Sequence, residues 1–188
     1  ICESLTREDR ESAFKRVQQW NTFARIWHLY DATWQNPFES AEIIVKHLKG
    51  SNKPIYHPYN NCGDHVVVIN SQDIALRGEE WRTRVYFHHT GYPGGASWTL
   101  AWELHDKDPT MIMQKAVYTA LGGNLQRRYS MQRLHIYPDD KVPDNIMQNI
   151  SNHIRQLRPV PKRLDHYPEE EVEHFPKVMD WPKDYILR

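Results

Sequence analysis

The apolar positions of this chain follow two rhythms, one near 3.6 residues and one of two residues, broken by glycine and proline. Ala41, Ile44, Val45 and Leu48 keep the i, i+3, i+4, i+7 spacing of one buried face and predict a helix over about 38–49. Gly50 suits its C-terminal cap. A second stripe, Met113, Ala116, Val117, Ala120 and Leu121, follows Asp108-Pro109, an N-cap and first-turn pair, and stops at Gly122-Gly123. Val66 to Ile69 is an unbroken apolar run, the pattern of a strand covered on both faces, and it points to a parallel sheet between helices. Phe23 to Tyr30, rich in aromatic and branched residues, reads as a first strand. Arg84 to His88 alternates, with Val85 and Phe87 on one face and Arg84, Tyr86 and His88 on the other. This predicts a strand that turns its polar face outward. A glycine-rich loop at 90–95 follows, then a helix near 98–105, a short basic helix near 125–133 and a last extended piece at Leu134–Tyr137.

Outside this body the rhythm weakens. Residues 1–22 are polar and charged, with Phe14 and Val17 as scattered anchors, and read as an N-terminal extension. After Pro138 the chain is punctuated by Pro143, Pro159, Pro161, Pro168, Pro176 and Pro182. One helix is predicted at about 144–157, with Met147, Ile150, Ile154 and Leu157 on a single face, and beyond it an extended arm suited to lying on a partner. The organisation is therefore an extension (1–22), an α/β domain (23–137) and a C-terminal helix and arm (138–188).

Charge changes the picture more by its distribution than by its sum. The 24 basic and 24 acidic side chains cancel, which at first argues against phosphate binding, since counterion release needs Lys and Arg. Yet Pro109 to Pro138 contains no Asp or Glu, while Lys115, Arg127, Arg128 and Arg133 all fall there. Between Trp81 and Trp102 the only charges are Arg82 and Arg84, and acid gathers at Glu169, Glu170, Glu171 and Glu173. The result is a weakly basic body with an acid-rich tail. The apolar share of 39% is low for a globular chain and implies a modest core plus segments that a partner orders. Two cysteines, Cys2 and Cys62, make no disulfide framework, which fits a reducing compartment. No apolar run approaches the ~18 residues of a membrane span. The first residue is Ile1, which is compatible with a removed transit peptide.

Candidate chemistry concentrates between Arg84 and Gly95. A strand carrying Arg84, Tyr86 and His88 leads into His89, Thr90 and the glycines Gly91, Gly94 and Gly95, which allow close approach of the backbone to an anion. Strand, glycine loop and helix is the geometry that cradles phosphate at a helix N-terminus. The phosphate could belong to a nucleotide cofactor of an α/β enzyme or to a nucleic-acid backbone. The loop is not G-x-G-x-x-G and lacks the ending of a P-loop. The acid-free stretch beyond it supplies donors that one cofactor does not need, which favours a polynucleotide. The plainer alternative is that the glycines only make a tight turn. Arg127, Arg128 and Arg133 lack acidic neighbours at helical spacing and suit bidentate phosphate contacts. Cys62, His65, His88 and His89 give only half a zinc motif, and neither a nucleophile–base pair nor a pair of acid–base carboxylates stands out. No metal and no cofactor is expected.

The segment Val85-Tyr86-Phe87-His88-His89-Thr90-Gly91-Tyr92-Pro93-Gly94-Gly95 resembles the signature of the L-thirteen family of large-subunit ribosomal proteins. Gly63-Asp64-His65-Val66-Val67-Val68-Ile69-Asn70 resembles that family's second strand and Trp27-His28-Leu29-Tyr30-Asp31-Ala32 its first. Leu48-Lys49-Gly50 with Lys53 and Tyr56, Asp108-Pro109, Arg128 and Arg133-Leu134 continue the likeness, in order, over about 23–137. The resemblance implies a three-layer α/β/α fold with a mainly parallel four-stranded sheet, binding to large-subunit rRNA early in assembly, and no catalysis. It implies RNA contacts at Lys53, Arg84, Tyr86, His88, His89, Thr90, Gly91, Gly94, Gly95, Arg128 and Arg133, to which its charge adds Arg127. Two places depart from the family: Phe38-Glu39 stands where Gly-Arg is usual, and Ala120-Leu121-Gly122-Gly123 where Met-Leu-Pro-Lys is usual. Gln18-Gln19-Trp20, Phe23-Ala24-Arg25-Ile26-Trp27 and the tail from Pro161-Lys162-Arg163 to Asp184-Tyr185 are similar to animal mitochondrial members. That likeness implies a mitochondrial ribosome and neighbouring large-subunit proteins as partners of both extensions.

Overall fold

A computed structural model describes residues 19–176. Cys2, Phe14 and Val17, and the tail beyond Pro176, lie outside the described residues. The body is an α/β fold. Its sheet has four parallel strands, in the spatial order Leu134–Ile136, His65–Ile69, Trp27–Asp31 and Ile150–His153, flanked by helices. The strands are β1 (Trp27–Asp31), β2 (His65–Ile69), β5 (Leu134–Ile136) and β6 (Ile150–His153); β3 (Val85–His89) and β4 (Ala96–Leu100) form a separate antiparallel hairpin. Helices α1 (Pro37–Lys49), α2 (Glu80–Thr83), α3 (Ala101–Lys107), α4 (Met111–Ala120), α5 (Arg127–Met131) and α6 (Asp144–Met147) complete the compact unit, which ends at Arg158.

The helical stripes read from sequence form the core. Ala41, Ile44 and Leu48 of α1 and Ile112, Met113, Ala116 and Val117 of α4 pack with Tyr30, Val66 and Val68 of the sheet, all at most 2% exposed. Full burial of each large aliphatic side chain is worth about 1.5–3 kcal/mol. Asn36 caps α1 by accepting from the Phe38 N–H at 3.0 Å, Pro37 occupies its first turn, and Gly50 closes it at φ 76°. The run Val66-Val67-Val68 is wholly buried, as a central parallel strand requires. The sheet face away from this cluster carries Trp27, His65 and His135, whose imidazole rings stack at 4.1 and 5.1 Å from the indole.

Three expectations are corrected. The helix near 98–105 begins only at Ala101; residues 96–100 are β4, paired with β3 so that Phe87 faces Trp98. The alternation in 84–88 is reversed in polarity. Val85 and Phe87 are about half exposed at 47% and 53%, whereas Tyr86 turns toward the core. The helix at 144–157 is instead one turn (α6) and then β6, which joins the sheet beside β1. Met147, Ile150, Ile154 and Leu157 fit helical spacing, but Ile154 is drawn into the core at 6% exposure and donates its N–H to Leu29 O at 2.8 Å. A smaller shift places the N-cap of α4 at Thr110, whose N–H and hydroxyl both bond Asp108 Oδ1.

A second compact unit begins at Pro159. It holds a helical turn at Leu164–His166 and helix α7 (Glu169–Glu173), with Tyr167 and Phe175 edge to face at 5.4 Å. The acidic cluster thus starts α7, where carboxylates favour the helix dipole.

The strand assignment at 150–153 makes a separable expectation. Ile154→Ala should cost about 2–5 kcal/mol, whereas Leu157→Ala, 44% exposed, should cost far less. Equal losses in urea denaturation would restore the single helical face.

Candidate nucleic-acid interface

The β3–β4 hairpin is closed by its own backbone: the Thr90 N–H donates to Gly95 O at 3.1 Å and the Gly95 N–H to Tyr92 O at 2.9 Å. Gly91 and Gly94 adopt φ of 88° and 75°, which glycine reaches without strain. A Cβ at either would meet nothing within 4 Å, so the backbone of the tip is open at both. The Gly91 N–H donates to His89 Nδ1 at 2.8 Å, which leaves Nε2 as that imidazole's proton-bearing nitrogen when neutral. His88, His89 and Thr90 are exposed beside it. This is a strand–turn–strand. The cradle expected at 90–95 therefore has no helix N-terminus behind it, and the phosphate-binding geometry inferred from sequence is corrected to an open hairpin tip.

A line of cations runs from the hairpin root. Arg84 stacks its guanidinium 4.0 Å from the Phe38 ring centre and pairs with Glu80 at 3.2 Å. The Lys115 ammonium lies 5.9 Å from the Tyr86 ring. One turn further along α4, Tyr118 carries the Arg127 guanidinium at 4.1 Å, and Arg127 Nε donates to Gly122 O. Arg128 is exposed in α5. Tyr86, Lys115, Tyr118 and Arg127 thus link the hairpin to α5 through α4. Burial pushes the Tyr86 hydroxyl up from its ordinary value, and that oxygen has no hydrogen-bond partner among the described residues.

Lys53 and Arg133 lie away from the hairpin and are bonded within the fold. Lys53 is 7% exposed, and its ammonium donates to Asp64 Oδ1 at 2.5 Å and to Ala24 O at 2.8 Å. Asp64 also accepts from the Ile26 N–H at 3.0 Å and meets His28 Nε2 at 3.2 Å. Burial works to raise the Asp64 carboxyl, but the bonds from His28, Ile26 and Lys53 outweigh it and hold the group below the usual carboxylate range. Arg133, 6% exposed, donates to Leu48 O and Asn61 Oδ1, both at 2.7 Å. Both cations are engaged inside the fold. His28, His47 and Asp64 bring ligand-type atoms within 4.8 Å of one another, but Lys53 already balances that carboxylate. Cys62 instead packs against Gly50, and His65 against Trp27.

The strand order reverses between β1 and β6, the crevice where open α/β sheets hold nucleotides. The chain itself occupies this place. Gln35 exchanges two hydrogen bonds with the Arg158 backbone, at 2.8 and 3.0 Å, and Gln156 Nε2 donates to Asp31 O at 3.2 Å.

Comparison with known proteins decides between the remaining readings. The family model described as Ribosomal protein L13 matches residues 25–143. The chain is 67% identical over 177 residues to the large ribosomal subunit protein uL13m of Drosophila melanogaster, covering 94% of this chain and 99% of that protein.

The chain belongs to the ribosomal protein L13 family.

Bacterial members are more distant. The uL13 of Geobacter sulfurreducens is 34% identical over 133 residues, covering 71% of this chain and 93% of its own, and that of Acholeplasma laidlawii 37% over 113 residues, covering 57% and 80%. The family match spans β1 through β5, so the hairpin and the cation line both lie within it. Within this L13 chain the structure brings together Arg84, Tyr86 and Arg127 with Lys115 and Tyr118, which were not among the expected contacts. The i, i+3 spacing of Lys115 and Tyr118 in an acid-free helix was the signal for them.

The buried charges generate two measurable consequences. Lys53→Met leaves Asp64 without its cation and should cost about 3–5 kcal/mol in urea denaturation; a neutral result would show the ammonium to be dispensable. Burial, then the charge of His28, pushes His47 down to about 4, so the unfolded chain binds a proton that the folded chain refuses. Stability should therefore fall as pH drops from ~6.5 toward 4, and further below ~3.9 as Asp64 is protonated. His47→Gln should flatten the upper part of the urea midpoint against pH, and an unaltered profile would assign that slope to another group.

Proposed function

We propose that this chain binds large-subunit rRNA through the β3–β4 hairpin and the cation line behind it, and so supports assembly of the mitochondrial large ribosomal subunit. Family membership carries the coarser role. The protein is a structural ribosomal protein of the mitochondrion and not an enzyme.

The observation that carries the finer reading is the open backbone at Gly91 and Gly94, beside exposed His88 and His89. Backbone N–H groups and imidazoles can approach phosphate oxygens closely there, and such contacts position a protein on RNA without reading sequence. Lys115, Arg127 and Arg128 extend the same surface with positive charge and no acid between Pro109 and Pro138. Thr90 and Gly95 act by closing the turn, Arg84 and Tyr86 by anchoring its root, and Lys53 and Arg133 by holding the body on which it stands. The N- and C-terminal extensions then serve contacts to neighbouring large-subunit proteins, as does the outward apolar face of the hairpin, where Phe87 and Trp98 lie 4.6 Å apart.

The combined change His88→Ala and His89→Ala, and separately Arg128→Glu, should weaken rRNA association without lowering the thermal midpoint. Arg128→Glu should also reduce the salt slope of binding by about 1 for each phosphate that residue 128 ceases to neutralise. Sedimentation of tagged protein from mitochondrial lysate should place the wild type with the large subunit. Wild-type affinity and salt slope in both variants would remove the hairpin and α5 from the binding surface.

A further inference from the structure

We propose that the cleft between the loop after α1 and helix α5 receives a single unpaired RNA nucleotide, a proposal that rests on the RNA-binding reading above and adds to it a base-recognition site. The cleft has a volume of about 270 Å³. That is below the ~300–1,000 Å³ of pockets for drug-sized ligands and leaves room for one base with its sugar.

Its lining has the chemistry of a base site. Tyr56 and Tyr129 stand at it with 42% and 60% of their surface exposed, unlike the core aromatics. Flat aromatic faces are the general means of holding unstacked bases. Asn60, Asn124 and Gln126 present amides, each both donor and acceptor, as the edge of a base requires. Lys49 and Arg133 supply positive charge, and no carboxylate lines the cleft. Two other clefts of the body each carry a carboxylate, Asp64 in one and Asp106 in the other.

Two further observations favour a ligand over an idle hollow. Arg133 is buried, three of its hydrogen bonds are made within the fold, and its Nε still has no acceptor among the described residues. That nitrogen is enclosed by the protein, so what Arg133 gives the cleft is a positive charge held beside it by those three bonds. The cleft is also held in shape before anything enters: Gln126 Nε2 donates to Pro58 O at 2.7 Å, joining α5 to the opposite loop, and Arg133 bonds Asn61 from the same side as α5. Such preorganisation lowers the ordering cost of binding. The site adjoins Arg127 and Arg128 in α5, so a strand following the cation line would deliver a base to Tyr129.

The test uses the full chain and two RNA hairpins of equal length, one perfectly paired and one with a single bulged nucleotide, each bulge base being tried in turn. Fluorescence anisotropy should show tighter binding of a bulged RNA. Tyr129→Ala and Tyr56→Ala should each weaken it by about tenfold, the size of one lost base stack, while leaving the paired RNA unaffected. Tyr129→Phe, which keeps the ring, should restore most of the loss. His88→Ala with His89→Ala should weaken both RNAs alike. If the tyrosine variants bind the bulged RNA as the wild type does while the histidine variant is still impaired, the pocket is overturned and the hairpin surface stands. If the wild type binds neither RNA, both readings fall together. Competition by free nucleoside monophosphate at the affinity of the bulged RNA would make this a mononucleotide site and overturn the proposal.

Discussion

Asp64 is the charge on which one end of this fold depends. Its two oxygens gather the Ile26 N–H at the entry to β1, His28 within β1 and Lys53 in the loop after α1. The carboxylate thereby ties that loop to the first strand. A buried charge is tolerable when its partners and hydrogen bonds are complete, and costly when one is removed. Arg133 does the complementary work at the other side of the same loop, gathering Leu48 O at the end of α1, Asn61 in the loop and Ser130 in α5. Together the two fix the loop of residues 50–64, which carries no regular structure of its own.

That rigidity bears on function because the surface proposed to meet rRNA consists of short pieces. The hairpin has five residues per strand, α5 has five, and neither could hold its own position in water. They are positioned by what they stand on: Tyr86 toward the core, Arg84 against Phe38, and Tyr118 under Arg127. A neutral chain can then present a cationic face, because acid is confined to other segments. The exposed Phe87, Trp98 and Trp102 are unusual for a free monomer and fit a chain whose surface is completed by its neighbours.

The departures from the family's usual sequence find a place in the same picture. Phe38 stands where a glycine is usual and gives Arg84 a ring to stack on, while Glu39 pairs with Arg77. At the end of α4, Gly122 accepts from Arg127, so the turn that lacks the family's Pro-Lys pair still anchors a guanidinium.

Much of this was legible in the chain. The stripes of α1 and α4, the buried run of β2 and the glycine cap at residue 50 depend on local periodicity and φ preference, which act over a few residues and are written in order. The glycine loop at 90–95 and its histidines were legible as a segment, since turn chemistry is local too, but the strand that pairs beyond it was not. Where chemically equivalent residues go was left to long-range contacts. Val85, Phe87 and Tyr86 alternate, but which face is inward depends on α4 and Lys115 lying beneath. Ile150 and Ile154 satisfy a helix and a strand alike, and the open edge of β1 selects the strand by offering backbone partners. Lys53 and Arg133 look the same in sequence as Arg128, yet they are buried because Asp64, Asn61 and Leu48 O converge on them from distant positions. Charge type is a property of a residue, whereas burial is a property of the contacts that folding assembles, and that is why the first was readable in advance and the second was not.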